Sequence, residues 1–309
     1  MLRSEFDSRW WQSRWEGWNV CFNPLLHYIG TQEVQKMTVQ DLWLKRDDFK
    51  IYGKYYCPDE GTGKLPLIIM SHGFRGSHLG TQVYAQAAYE AGYAVYSYDF
   101  VGSGDGSAKQ SEGDFLDMSV LTQAKDLEAV LIQLRERPEI DSNRVYLMGE
   151  SQGGFVSAYV AGKIPDQIAG LVLLYPAFVL QDDAKKRVEA YDNGPQATIV
   201  MGTQIGAIYN QDALSFDIYQ VLAGYRKPVL IVHGDSDKIV PLAYSERAQA
   251  SYHQAQLLVL PGAGHGFHGQ DIQRATQAML TYLADREGGE WPCLSFYRVS
   301  QALSPSSLW

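Results

Sequence analysis

"VYLMGESQGGF" (Val145–Phe155) sets an apolar run against two glycine steps with a single serine between them. Val145 to Met148 suits a strand buried on both faces, and apolar residues resume at Phe155 as a helix would require. In a Gly-x-Ser-x-Gly turn the glycines remove side chains that would clash where a strand folds sharply into a helix. The serine is then held on a strained backbone with its hydroxyl pointing out of the sheet edge. The first turn of the helix behind it offers unpaired amides and the positive end of the helix dipole, both suited to a developing oxyanion. A plain glycine turn is the competing explanation, and the rest of the chain has to decide between them.

Around this turn, strand-like and helix-like segments alternate. "LWLKRDDFKIYGKYY" (42–56) reads as two strands about Asp47-Asp48, and "PLIIMSHGF" (66–74) as a buried strand ending in a glycine turn. A helix over 80–91 is stopped by Gly92, and "YAVYSYDF" (93–100) forms the next strand. Val120, Ala124, Leu127, Leu131 and Leu134 repeat at steps of four and three, which predicts a helix over 117–137 ended by Pro138. Further strands are expected at 144–149, 169–175, 228–233 and 256–260. This alternation implies an α/β protein whose mostly parallel sheet is flanked by helices. Residues 178–224 break the rhythm and read as a small cap or lid inserted into a core formed by 37–177 and 225–287. Residues 1–36 and 288–309 lack core periodicity and read as extensions, with Met37 near an original start.

Composition narrows the class. The chain of 309 residues is 46% hydrophobic and carries a formal charge of −9 without a basic stripe, which argues against nucleic-acid binding. Three scattered cysteines, Cys21, Cys57 and Cys293, form neither a zinc spacing nor a disulfide framework and favour a reducing compartment. No run approaches the roughly 20 apolar residues of a membrane span. The N-terminus has no continuous apolar core of a signal peptide. A cytoplasmic enzyme is expected, with a removed secretion signal as the alternative.

A serine hydroxyl needs a base, and the base needs an orienting acid. Of the seven histidines, His72 and His265 follow predicted strands. His265 lies in "PGAGHGF" after the last strand, and "IVHGDSDKIVP" places Asp237 beyond the strand before it. Ser151, Asp237 and His265 thus occur in the order Ser…acid…His, each past a strand, so all three can meet on one rim. Asp237 is preferred to Asp235, a turn residue, and His265 to His268, a surface residue. His233 reads as a packing and hydrogen-bonding residue, and His27 and His253 as structural or solvated. Asp99 precedes the serine and reads as a loop anchor. The oxyanion donors are expected to be the backbone N–H groups of Gln152 and Phe74.

The segments "SHGFRG", "YDFVGSGDG", "FLDMSVLTQAKDLEAVL", "GESQGG", "LLYPA", "HGDSDKIVP" and "GAGHGF" together resemble the α/β-hydrolase superfamily, and within it the cinnamoyl/feruloyl esterase group, over about residues 38–286. The resemblance implies an α/β-hydrolase fold and a serine esterase that uses no metal and no cofactor on a small-molecule ester. It also implies an Asp and a Tyr of the insertion on the substrate's phenolic hydroxyl, here Asp183 in "LQDDA" and Tyr209 in "IGAIY". Solvated cap residues are the alternative for both. The chain departs from the group in a shortened insertion, in the missing Gln-Gly segment, and in Glu150 where a histidine is commoner. Glu150 is expected to affect local polarity and not to act as an acid. A peptidase or acyltransferase with the same triad remains an alternative, with Asp182-Asp183 open to misreading as an amine site, and so does a non-catalytic binding protein of this fold. No nucleic-acid or membrane partner is expected, and the oligomeric state stays open, a homodimer included.

Overall fold

The computed structural model describes residues 38–57, 63–104, 109–190 and 198–288. The expected extensions, apart from Gly288, and the proposed start at Met37 lie outside the described residues. Eight strands form one sheet in the order β1-β2-β4-β3-β5-β6-β9-β10. They are β1 (Val39–Arg46), β2 (Phe49–Tyr56), β3 (Leu65–Ser71), β4 (Ala94–Tyr98), β5 (Ile140–Glu150), β6 (Gly170–Leu174), β9 (Val229–Gly234) and β10 (Ala255–Leu260). β2 is antiparallel to both β1 and β4, and every other pairing is parallel. β1 and β2 close over Asp47 and Asp48, as the polar pair predicts, with Asp47 in the left-handed region at φ 52°.

The chain leaves β3 for β4 on one side and returns across it to β5 on the other. Strand order therefore reverses at β3 and opens a crevice at the carboxyl ends of β3 and β5. Alternation along β3 splits the core in two. Leu67 and Ile69 pack with α2 (Val120–Arg135), α3 (Ser151–Lys163) and α7 (Ala243–Ser251), while Ile68 and Met70 pack with α1 (Gln82–Glu90) and α8 (Gln270–Arg286). The α2 stripe is buried as its spacing predicts, but the helix starts at Val120. Asp114 caps a separate 3-10 turn at Phe115–Asp117, and Ser119 with Thr122 forms a capping box that fixes the later start.

The insertion between β6 and β9 holds α4 (Leu180–Glu189), a hairpin of β7 (Thr198–Val200) and β8 (Thr203–Ile205), α5 (Ala207–Leu214) and α6 (Ile218–Leu222). Its entry is tied to the β5–α3 turn, where the Ala177 N–H donates to the Ser151 carbonyl at 2.9 Å.

Candidate active site

Ser151 stands at the first position of α3 with φ 51°, a conformation that costs a non-glycine residue on the order of 1–2 kcal/mol. The glycines hold it there by letting backbones meet. A Cβ on Gly149 would lie 2.3 Å from the Gly153 carbonyl oxygen, and one on Gly153 would lie 2.3 Å from that of Ser71. The start of α3 thus presses on the end of β3. Across the crevice, a Cβ on Gly73 would come within 3.2 Å of the Ser151 Cβ, so the turn after β3 lies directly against the serine.

Loops beyond β9 and β10 deliver the remaining groups. His265 Nε2 is 2.9 Å from Ser151 Oγ, and His265 Nδ1 is 2.7 Å from Asp237 Oδ2. A carboxylate only accepts, so Nδ1 carries the proton and donates it to Asp237, which leaves the Nε2 lone pair facing the serine hydroxyl. Asp237 is buried, and its Oδ1 accepts from the N–H groups of Ile239 and Val240, each at 2.8 Å. Burial alone would raise this carboxyl. Hydrogen bonds from His233, His265 and the Val240 N–H override that and hold it well below the usual carboxylate range. His233 Nε2 donates to the Val240 carbonyl at 2.9 Å and lies 3.3 Å from Asp237 Oδ2, while its Nδ1 accepts from the Ser245 hydroxyl at 2.7 Å. It supports the acid and does not reach the serine's place in the relay.

The backbone amides expected to serve an oxyanion, those of Gln152 and Phe74, lie on the two turns that flank Ser151. Gln152 is the second residue of α3, where a helix amide has no partner within the helix. The Gly73–Gly76 turn closes through the Gly76 N–H on the Gly73 carbonyl at 3.0 Å, with Arg75 at φ 61°, so the turn's own bond does not use the Phe74 N–H. His72 is buried under this turn. Its Nδ1 donates to the Gly73 carbonyl at 2.7 Å, and its Nε2 accepts from the Phe100 N–H at 3.2 Å, so it shapes the turn and offers no base.

The other sequence candidates separate as their surroundings dictate. Asp235 is exposed and accepts from the Gly262 N–H at 2.7 Å, a loop-closing role. His253 and His268 are exposed, and His27 lies outside the described residues. Asp99 is buried and accepts from the His78 N–H at 2.7 Å, His78 Nδ1 at 2.8 Å and the Gln110 N–H at 2.9 Å, the anchor its position suggests.

Among the described residues, Tyr209 ties the insertion to the site, and Arg75 Nη1 donates to the Met201 carbonyl of the cap hairpin at 3.0 Å. The Tyr209 hydroxyl donates to Gln152 Oε1 at 2.5 Å, and Gln152 Nε2 donates in turn to Gln123 Oε1 of α2 at 2.8 Å. Burial pushes the Tyr209 phenol up; the Arg187 charge opposes this and the Asp183 charge adds to it, so Asp183 and Tyr209 share one neighbourhood of the cap. Asp183 itself is partly exposed and lies 3.6 Å from Lys186. Sequence reasoning assigned no role to the side chain of Gln152, nor to Tyr175, whose ring meets that of His265 edge-on at 5.0 Å. "LLYPA" marks Tyr175 only as a residue after a strand. Among the described residues no cluster of three His, Cys, Asp or Glu side chains is arranged to hold a metal ion, and no helix is long and apolar enough to cross a membrane.

Comparison with known proteins agrees with the fold. A family model described as serine aminopeptidase, S33, matches residues 64–190, and one described as TAP-like protein matches residues 216–290. The chain is 27% identical over 263 residues to the dihydrolipoyllysine-residue acetyltransferase component of the acetoin cleaving system of Pseudomonas putida. That match covers 72% of this chain and 64% of that protein. It is 30% identical over 156 residues to monoglyceride lipase of Rattus norvegicus, covering 48% of each. Among solved structures, Est1E of Butyrivibrio proteoclasticus with ferulic acid bound has a TM-score of 0.72 at 24% identity, covering 80% of this chain and 99% of that one.

Proposed function

Because this chain belongs to the α/β-hydrolase superfamily, we propose that it is a serine carboxylesterase working through an acyl-enzyme. The observation that carries this reading is the unbroken hydrogen-bonded line from Ser151 through His265 to Asp237. In the proposed reaction His265 Nε2 takes the Ser151 proton as Oγ attacks the ester carbonyl, and Asp237 holds the imidazole and offsets its positive charge. The amides of Gln152 and Phe74 stabilise the tetrahedral oxyanion. His265 then protonates the leaving alcohol and activates water to release the acid. Ser151→Ala is expected to abolish p-nitrophenyl acetate hydrolysis and fluorophosphonate labelling while circular dichroism stays unchanged. Near-native turnover in that variant would end the reading. An unlabelled wild-type protein would favour the non-catalytic binding alternative.

Hydroxycinnamate esters are the proposed substrates. The fold likeness to Est1E with ferulic acid bound supports this. Faster hydrolysis of methyl ferulate than of short aliphatic esters is expected. The serine aminopeptidase model favours one second reading, a peptidase, which aminoacyl p-nitroanilides test directly.

A further inference from the structure

Glu150 precedes the nucleophile, and no step above uses it. It is half-buried at the end of β5, and its Oε1 lies where a Cβ on Gly80 would be only 2.8 Å away. Its Oε2 accepts from the Tyr175 hydroxyl at 2.8 Å, and the Gly73 N–H also donates to the carboxylate, an acceptor-only pattern that fits the ionised form. Tyr175 is buried at the exit of β6 in the left-handed region at φ 37°, with its N–H on the Val232 carbonyl at 2.7 Å. Backbone strain at a bulky residue persists only where the surroundings require it. Here the requirement is a ring that stands edge-on to His265 at 5.0 Å and to Phe267 at 4.7 Å, with its hydroxyl on Glu150.

Glu150, Tyr175 and His265 therefore form a second line of contact on the imidazole, separate from the one through Asp237. We propose that Glu150 is a positioning residue for the base: through Tyr175 it fixes the edge of the His265 ring, and its carboxylate stabilises the imidazolium that each half-reaction forms. This rests on the esterase reading. The ionisable groups around the pair are Tyr175 and Tyr84 beside Glu150, Ser151 and Asp237 on the two nitrogens of His265, and His233 behind Asp237. Burial raises the Glu150 carboxyl, while the Tyr175 hydroxyl, the Gly73 N–H and the charge of His265 act against it.

Glu150→Gln keeps the shape and an acceptor for Tyr175 but removes the charge. A negative charge beside an imidazole raises its pKa, so removing it moves the acidic limb of the kcat/KM profile for p-nitrophenyl acetate to lower pH, by about 0.5–1 unit. A fall in kcat of roughly 3- to 10-fold accompanies it, the imidazolium having lost its second carboxylate. Tyr175→Phe takes a donor from the carboxylate, which raises the carboxyl further and favours its neutral form, and so moves the limb in the same direction. An unmoved limb in both variants overturns the proposal; if Glu150→Gln does not fold, Tyr175→Phe decides alone. If the wild-type protein hydrolyses no ester, the His265 pKa followed by NMR in wild type and Glu150→Gln replaces the rate profile. A lower value in the variant supports the pairing and an unchanged one overturns it, independently of the esterase reading.

Discussion

The imidazole of His265 has one proton to place in its neutral form, and its two neighbours decide where it goes. Asp237 can only accept, so the proton sits on Nδ1 and the base faces Ser151. Asp237→Asn removes that compulsion, because an amide nitrogen at 237 would face Nδ1 as a donor and favour the wrong tautomer. A fall in kcat of about 10³–10⁴ is expected, with fold retained, checked by steady-state kinetics beside circular dichroism. At this scale the sequence was informative where chemistry fixes position along the chain. Asp237 could be preferred to Asp235 from the pattern His-Gly-x-x-Asp-x-x-Val-Pro, and the fold sets the amides of Ile239 and Val240 behind its carboxylate. Tyr175 and the side chain of Gln152 were not legible, since each acquires its partner only when strands and cap are assembled. The Tyr175–Glu150 and Tyr209–Gln152 bonds join residues 25 and 57 positions apart.

Loops near the site are held by buried carboxylates as well as by regular structure. Asp99, past β4, fastens the loop at His78 and the one at Gln110 with three hydrogen bonds, and His78 is close in sequence to the Gly73–Gly76 turn proposed to supply one oxyanion amide. Asp99→Ala would leave those donors buried and unpaired, at an expected cost of about 2–4 kcal/mol in urea unfolding. Burial raises the Asp99 carboxyl, and hydrogen bonds from the His78 ring and from the His78 and Gln110 N–H groups lower it further than burial raises it. With its folded pKa depressed, Asp99 contributes its stability above the unfolded carboxylate pKa of about 4 and loses it as pH falls through the folded value. Asp237 has the same sign. The urea midpoint should decline below about pH 4, and less steeply in Asp99→Ala. The long helix α2 was legible because its stripe spans several turns. The cap hairpin was not: Met201 and Gly202 turn it with φ 48° and 79°, and Met in the left-handed region carries none of the Asn-Gly signal of such turns.

Across the whole molecule, sheet order and cap attachment act together. The reversal at β3 opens the crevice, and its floor is built from strand ends that the alternation of apolar runs made readable. The cap is held over that floor by the Ala177 N–H on Ser151 and by the Tyr209–Gln152–Gln123 line into α2. Two accounts of Tyr209 therefore compete. As a contact for a phenolic substrate it would matter only when the acyl group carries that hydroxyl. As a tie between cap and core it would matter for every ester, because Gln152 Oε1 loses its donor and the residue bearing an oxyanion amide is freed on one side. The Tyr209 hydroxyl already donates to Gln152, which leaves it only as an acceptor toward anything else. The tie should dominate. Tyr209→Phe is expected to lower kcat/KM for methyl ferulate and p-nitrophenyl acetate alike, by about 10-fold, the equivalent of roughly 1.4 kcal/mol and within the cost of one buried acceptor left unpaired. A loss confined to methyl ferulate would instead make Tyr209 the reader of the phenol and leave Gln123 and Met118 to hold Gln152.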